Sequence, residues 1–502
     1  MKKLILFFVL FSLFSVLCSA QGQDNIWYFG DSAGISFNSG IAVPLTDGIV
    51  SSLETCSSIS DRNGNLLFYV GSKFNFAFND IYLTLWNRQH QIMQNGDTLS
   101  GYYSSTQGSL ILQNPSDSMQ YYIFSQPYDP PSQNLIYSVV DMALDSGRGA
   151  VVQKNIAIPL SFFPYEKMQS VKHANGRDWW LIIHGSGGDT LDELLINTSG
   201  INNPIPITIG NDYGGTLGGY GQMIFSPDGN KLFCAGMSGI MDLFDFNRCT
   251  GVISNYREIG IPPYNLQDGY YGCSISPNNK VLYVSKYDTL FQFDLLASDI
   301  QLSEQIIWIG SNTNLTKRMG QHKLGPDGKI YIANSDSINH MTYPPDNYPF
   351  DSITMNLSVI NYPDSLGAAC DFVPYSFYLG GKRSFASLPN NANYNLGRLI
   401  GSPCDTLTVF SATHLPLTDY IEIFPNPNNG EFILQYNLNG ATEGTFEVFD
   451  VLSRKVFSAI LEPDSHAEGR EEVHLFERAG LYFWRILSPN RIITTGKFII
   501  FD

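Results

Sequence analysis

The chain has 502 residues, with 29 lysines and arginines against 46 aspartates and glutamates and a formal net charge of −17. An acidic surface repels phosphates and anionic headgroups, which excludes nucleic acid and anionic membrane surfaces as principal partners. Charged residues make up 15% and aromatics 13%, a balance that suits packed β-sheet rather than disorder or a helical bundle, in a chain long enough for two or more domains.

Lys2 and Lys3 precede an apolar run from Leu4 to Leu17, and Cys18-Ser19-Ala20 closes it with small residues. Residues 1–20 therefore read as a signal peptide, with the mature chain beginning at Gln21. A run of about 14 apolar residues falls short of the roughly 20 that a helix needs to cross a bilayer, so no transmembrane segment is expected in the mature chain. Loss of the two lysines takes the net charge to −19. Leu17 stands where a lipoprotein site at Cys18 requires a small residue. Cys56, Cys234, Cys249, Cys273, Cys370 and Cys404 remain, and six cysteines in an oxidising compartment allow about 15 pairings. None has metal-ligand spacing, so they read as structural, and neither metal nor cofactor is expected.

One pattern then recurs along the chain. A short stretch of small and apolar residues meets a turn rich in Pro, Asp, Asn and Gly, and a strongly apolar strand follows. The clearest copies are Gly221 to Ala235, Gly272 to Ser285 and Gln321 to Asn334. Their turns share one chemistry: Pro227, Pro277 and Pro326 preset φ, and Gly229, Asn279 and Gly328 suit a left-handed position. Weaker copies run from Cys56 to Val70, Gln107 to Ser125 and Gln169 to His184. Starts at 56, 107, 169, 221, 272 and 321 give steps of 51, 62, 52, 51 and 49. A third strand often follows, as in Leu83 to Asn87 or Thr289 to Asp294. Meanders at this period are the signature of propeller blades, each burying its faces against its neighbours. A seventh blade is expected from Ala369 to Phe377 together with Asn25 to Gly30 and Gly34 to Phe37, closing a seven-bladed β-propeller over residues 21–389, with six or eight blades as the alternatives.

Residues 390–419 break the repeat and read as a linker. Seven short strands follow in residues 420–502, from Ile421–Phe424 to Lys497–Phe501, which suits a small immunoglobulin-like sandwich. The run FPNPNNGEFIL, then FEVFDVLSRKV, AGLYFWRI and the closing Lys497 strand resemble the C-terminal sorting domain of type IX secretion cargo in Bacteroidota, with Pro425, Asn426, Pro427, Gly430, Gly480, Tyr482 and Lys497 carrying the motif. Ser453 departs from the glycine usual there. The resemblance implies Sec export to the periplasm, passage through the outer membrane by the type IX machinery, and a secreted or cell-surface product. WYFGDSAGISFNSG, SSLETCSSISDRNGNLLFY, LWNRQHQIM, YYSSTQGSLI, EKMQSVKHANGRDWWLIIH and LGPDGKIYIAN resemble a propeller of Bacteroidota surface proteins that often carry gliding-motility-associated domains. That likeness implies fold and surface location, with no enzyme activity attached to the family in general.

The chain contains no GxxxxGK[ST] or HExxH, and Asp61 to Asn65 lacks the Gly and Glu of a calcium loop and reads as a turn. The loops entering each inner strand are rich in Gly and Tyr. Tyr102, Tyr103, Tyr213, Tyr220, Tyr270 and Tyr271, with Arg318 and His322, are the candidate binding residues, because a tyrosine ring offers an apolar face with a polar tip to a glycan or protein. Individually such tyrosines also suit packing between blades. Glu54, Glu166, Asp212 and Asp268, with Asp364, are placed at the same rim and would serve a glycoside hydrolase or polysaccharide lyase. The reading favoured is a non-enzymatic binder of an extracellular glycan or protein, with the carbohydrate-active enzyme as the alternative.

Overall fold

The computed structural model describes residues 22–74, 81–127, 133–186, 188–211, 219–260, 269–310, 317–336, 350–405, 421–424, 426, 428–438, 443–451, 454–462, 468–475, 478–488 and 491–501. The proposed signal peptide lies outside them. The chain divides into two compact units, residues 1–408 and 409–502.

The first unit is a β-propeller with seven sheets among the described residues. Blade 1 holds Cys56–Ser60, Leu66–Phe74 and Ile81–Asn87; blade 2 holds Ser109–Gln113, Gln120–Ser125, Asn134–Asp141 and Ala150–Pro159. Blade 3 runs from Pro164–Lys172 to Thr190–Asn197, which pairs with both Gly200–Ile201 and Ile205–Thr208. Blades 4, 5 and 6 are four-stranded meanders beginning at Met223–Phe225, Cys273–Ile275 and Lys317–Leu324. The turn chemistry explains the hairpins: Gly229, Asn279 and Gly328 have φ of 73°, 63° and 79°. Their amides return to Ser226, Ser276 and Gly325 at 2.8, 2.9 and 2.9 Å.

Blade 7 departs from expectation. Ile26–Phe29, Ala33–Ser36 and Val43–Leu45 form their own sheet. The stretch from Ala369 to Phe377 does not join it: Phe372–Tyr378 pairs with Asn356–Ile360 as the outer strand of blade 6. The partner from the C-terminal side comes later, at residues 383–390. The Asp31 amide bonds the Arg383 carbonyl at 3.0 Å, and Gln321 and Asn390 amides bond Ala386 and Cys56 carbonyls at 2.8 and 2.9 Å. Arg383, only 2% exposed, pairs with Asp31 at 2.9 Å. The N-terminal strands and residues 383–390 thus meet at blade 7.

The greasy faces meet blade to blade around the whole circle. Trp27, Phe29 and Ile35 pack on Tyr331, Leu357 and Val359 between blades 7 and 6, while Tyr28, Tyr69 and Trp86 join blades 7 and 1. Further clusters join blades 1, 2 and 3, 3 and 4, 4 and 5, and 5 and 6. A single blade has no such cover, so burial makes the ring the unit of folding.

Of the stretch expected as a linker, residues 390–405 pack into this unit. Tyr394 meets Trp179 edge-on at 4.8 Å between ring centroids, Arg248 donates to the Gly397 carbonyl at 2.6 Å, and Cys404 is disulfide-bonded to Cys249. Cys56, Cys234, Cys273 and Cys370 are buried thiols.

The second unit is a sandwich of a three-stranded sheet, Ile421–Phe424, Glu431–Asn437 and Glu468–His474, and a four-stranded one, Lys455–Leu461, Gly444–Phe449, Gly480–Ser488 and Arg491–Ile500. Alternating residues such as Leu434, Tyr436, Phe446, Val448, Trp484 and Ile486 fill its core.

Candidate functional site

Each inner strand runs from a loop at one end of the propeller to a tight turn at the other. The loop ends of blades 1, 2, 3 and 5 converge. Thr55 is the pin: its hydroxyl bonds the Tyr102 carbonyl at 2.6 Å and the Ser105 carbonyl at 3.0 Å, drawing the blade 2 loop against blade 1. The Gln107 amide then bonds the Glu166 carbonyl at 2.9 Å, bringing in blade 3.

The side chains held by this backbone form one polar cluster. Ser104 donates to Glu54 Oε2 at 2.6 Å, and Glu54 Oε1 is hydrogen-bonded to the Tyr271 hydroxyl of blade 5. The Thr106 hydroxyl and amide both reach Glu166 Oε2, at 2.7 and 3.1 Å. Burial raises the pKa of Glu54, against the hydrogen bonds from Ser104 and Tyr271. Burial and then the charge of Glu54 raise Glu166 well above the usual carboxylate range. Two part-exposed carboxyls brought together from separate blades, with pKa values raised by burial and, at Glu166, by the charge of Glu54, are the kind of group that concentrates where chemistry or recognition is done.

The tyrosines divide into two kinds. Tyr102 and Tyr103 are part-exposed and lie together, with ring centroids 4.8 Å apart. Tyr220 is part-exposed, its ring edge-on to Tyr165 at 5.1 Å, and the two hydroxyls are 3.1 Å apart. Tyr270 belongs to the core between blades 4 and 5, the packing role open to any propeller tyrosine. Arg318 lies over the Tyr287 ring at 5.0 Å. Asp212, Tyr213 and Asp268 lie outside the described residues.

Two expected rim residues are elsewhere. His322 is 3% exposed, 3.3 Å from the Ser274 hydroxyl, and burial pushes its pKa down to about 3. Its strand begins at Lys317, so position 322 falls well inside the sheet. Asp364 accepts from the Asn278 amide at 2.9 Å, which places it beside the Pro277 turn, at the opposite end.

Three glutamines missed by the sequence reading close the axis beneath the carboxyls. Gln107 of blade 2 makes a two-way amide pair with the Met223 backbone of blade 4, at 2.7 and 2.8 Å. Gln222 does the same with the His322 backbone of blade 6, at 2.8 and 3.1 Å, and also accepts from the Cys273 amide at 2.9 Å. Gln321 accepts from the Leu388 amide at 2.8 Å and donates to the Thr106 carbonyl. Each side chain thus imitates a strand edge where no strand can reach. Below them, on the turn side, lies a cavity of about 340 Å³ lined by Gln169, Gln222, His322, Lys323, Asn390 and Asn391 among others. The available signal was a glutamine at the first or second position of four of the six repeats, Gln107, Gln169, Gln222 and Gln321.

In the sandwich, Asn428 clips the turn to the final strand: its amide bonds the Ile499 carbonyl at 2.9 Å, and its carbonyl accepts from the Phe501 amide at 2.8 Å. Asn426 Oδ1 accepts from the Ile499 amide at 3.1 Å. Gly430 has φ of 94°, a region natural only to glycine. Tyr482 stacks on Phe498 at 5.7 Å. Gly480 and Lys497 occupy the last two paired strands, whereas Pro425, Pro427 and Ser453 lie outside the described residues.

Residues 422–501 match the secretion system C-terminal sorting domain. No curated protein matches the chain. Among solved structures, a candidate 6-phosphogluconolactonase from Bacteroides fragilis is 12% identical, covering 72% of this chain and 96% of its own at a TM-score of 0.43. Its counterpart from Bacteroides uniformis is 14% identical, with coverages of 68% and 93% and a TM-score of 0.42. PorZ, a surface component of the type IX secretion system of Porphyromonas gingivalis, is 10% identical over 95% of this chain and 74% of its own, at a TM-score of 0.29.

Proposed function

We propose, from a chain whose residues 422–501 are a type IX secretion sorting domain and which is therefore delivered to the outer cell surface or beyond, that the propeller binds a hydroxyl-rich ligand, a glycan, at the loop end of its axis. The observation that carries the reading is the convergence of Glu54, Ser104, Thr106, Glu166 and Tyr271, from four blades, into one polar cluster. Carboxyl and hydroxyl groups in a low-dielectric recess bond sugar hydroxyls strongly, and the part-exposed faces of Tyr102, Tyr103 and Tyr220 offer stacking surfaces beside them. The glutamine layer gives the recess a floor.

Hydrolysis of a glycoside is the second reading, supported by the raised pKa values of both carboxyls, since one protonated and one ionised carboxyl is the equipment of such enzymes. The test is a screen of the mature chain against polysaccharides and surface proteins, run beside a product assay on every polysaccharide bound. Saturable glycan binding without turnover, lost in Glu166→Ala, supports the first reading. Turnover supports the second, and binding of proteins alone removes both.

A further inference from the structure

We infer that Tyr69 is a redox-active tyrosine that gives an electron to an attacking radical and its phenolic proton to His90, making the seam between blades 7 and 1 a sink for one-electron oxidation.

Three buried rings form one stack across that seam. Tyr69 and Trp86 are cross-strand partners in blade 1, with centroids 5.3 Å apart and planes 23° from parallel. Tyr28 of blade 7 lies on Tyr69 at 4.6 Å and 29°. Glycines make its slot: a Cβ at Gly34 or Gly48 would stand 2.9 or 2.6 Å from Tyr28 Cδ1. Rings in contact exchange an electron vacancy readily. An oxidised phenol or indole is a strong acid, so the vacancy is trapped on whichever ring can also lose its proton.

Trp86 has no such outlet, because its buried Nε1 lacks a hydrogen-bond partner among the described residues. Each tyrosine has a base. The Tyr28 hydroxyl donates to Asp47 Oδ1 at 2.8 Å, and the Tyr69 hydroxyl lies 3.1 Å from His90 Nδ1. Direction at His90 follows from its other nitrogen: Nε2 faces Asp47 Oδ2 at 3.4 Å, so the neutral ring carries its hydrogen there and Nδ1 keeps a lone pair for the phenol. The Ile49 amide donates to the same phenolic oxygen at 3.4 Å, filling its acceptor side. Imidazole is a stronger base than a carboxylate, and the vacancy therefore settles on Tyr69 rather than Tyr28.

In the step itself, Tyr69 loses one electron to the oxidant, a hydroxyl or carbonate radical, which becomes the corresponding anion. The phenolic O–H bond breaks and its proton forms an N–H bond at His90 Nδ1, leaving a neutral phenoxyl radical and an imidazolium beside the Asp47 carboxylate. The His90 side chain is 21% exposed, which opens a route for the proton to water. Its place is fixed by a turn in which Asn87 Oδ1 accepts from the Gln89 and Gln91 amides at 2.8 and 3.2 Å. A chain delivered to the outer cell surface or beyond meets such oxidants outside the reach of cytosolic thiol reductants.

Flash photo-oxidation of the mature chain at about pH 8, where imidazole is neutral, with ruthenium(III) tris-bipyridine as the external oxidant and electron paramagnetic resonance as the readout, tests the assignment. Wild type should give a long-lived tyrosyl signal that Tyr69→Phe removes and Tyr28→Phe retains. His90→Asn, which tolerates the left-handed backbone at position 90 (φ 59°), should slow formation of the radical by about 100-fold or more. In wild type carrying isotopically labelled histidine nitrogen, which needs no variant to fold, double resonance should show that nitrogen coupled to the radical. An undiminished signal in Tyr69→Phe, an unchanged rate in His90→Asn or a wild-type radical without histidine coupling would overturn the assignment.

Discussion

Replacing Cys249 and Cys404 together with serine should cost the propeller up to about 5 kcal/mol. The bond spans 155 residues, and the loop-closure entropy returned to the unfolded chain by opening so long a loop is about 17 cal/mol/K, which at 25 °C is about 5 kcal/mol. Native-state contacts support a value near that ceiling rather than far below it, because the stapled segment is already held by Arg248 on Gly397 and by Tyr394 on Trp179, leaving the serine variant little to gain by relaxing. The assay is guanidinium denaturation of the oxidised protein, with the difference read as the midpoint shift multiplied by the slope. Dithiothreitol should lower the wild-type midpoint by the same amount and leave the variant unmoved. A double variant within about 1 kcal/mol of wild type would refute the view that this bond fixes the closing segment.

Gln222→Ala should destabilise the propeller by about 2 to 6 kcal/mol, since it leaves the buried amides of Cys273 and His322 without their acceptor, at about 1 to 3 kcal/mol for each stranded group; thermal unfolding measures it. Glu193, whose pKa burial pushes up to about 8, keeps a proton in the folded chain that the unfolded chain has released. Its contribution to stability is therefore full below about pH 4 and declines as pH rises toward 8, by at most about 1.4 kcal/mol per pH unit. Glu193→Gln should flatten that decline in denaturation midpoints taken at pH 5 to 8, and an unchanged slope would contradict it. Gly430→Ala should weaken the tail by about 2 kcal/mol or more, because a left-handed φ costs about 1 to 2 and the new Cβ would lie 2.4 Å from the Leu475 carbonyl. Immunoblots of medium, surface and periplasm should show the precursor accumulating inside.

The propeller was legible where local chemistry repeats. Pro227, Pro277 and Pro326 mark their turns, and positive φ at Gly229, Asn279 and Gly328 is what those residue types are suited to. The closing segment was not legible, because Ser384 to Asn390 is held by scattered backbone bonds and side chains rather than by a continuous ladder. Ser384 donates to the Asn334 carbonyl at 3.0 Å, and Asn390 donates to Ser109 and Met168 carbonyls at 3.1 and 3.0 Å. The linker was read as beginning at Asn390, although Asn390 satisfies the inner ends of blades 2 and 3. Glu54 and Glu166 stood out as acids heading inner strands. Tyr271 stood out as a rim tyrosine, but its bond to Glu54 did not, nor did Ser104 and Thr106, since only the folded ring sets blade 5 across from blade 1. His322 was misplaced because Lys317–Leu324 is longer than the inner strands of the neighbouring repeats.

Hydrogen–deuterium exchange on the mature chain, with and without a bound glycan from the screen, bears most directly on the idea that ligand enters at the loop end of the axis. Added protection should fall on the peptides spanning residues 102–107, 164–167 and 270–272, with the turns near Pro227, Pro277 and Pro326 unchanged. Protection confined to the turn end or to the outer strands would place the ligand elsewhere and contradict the account.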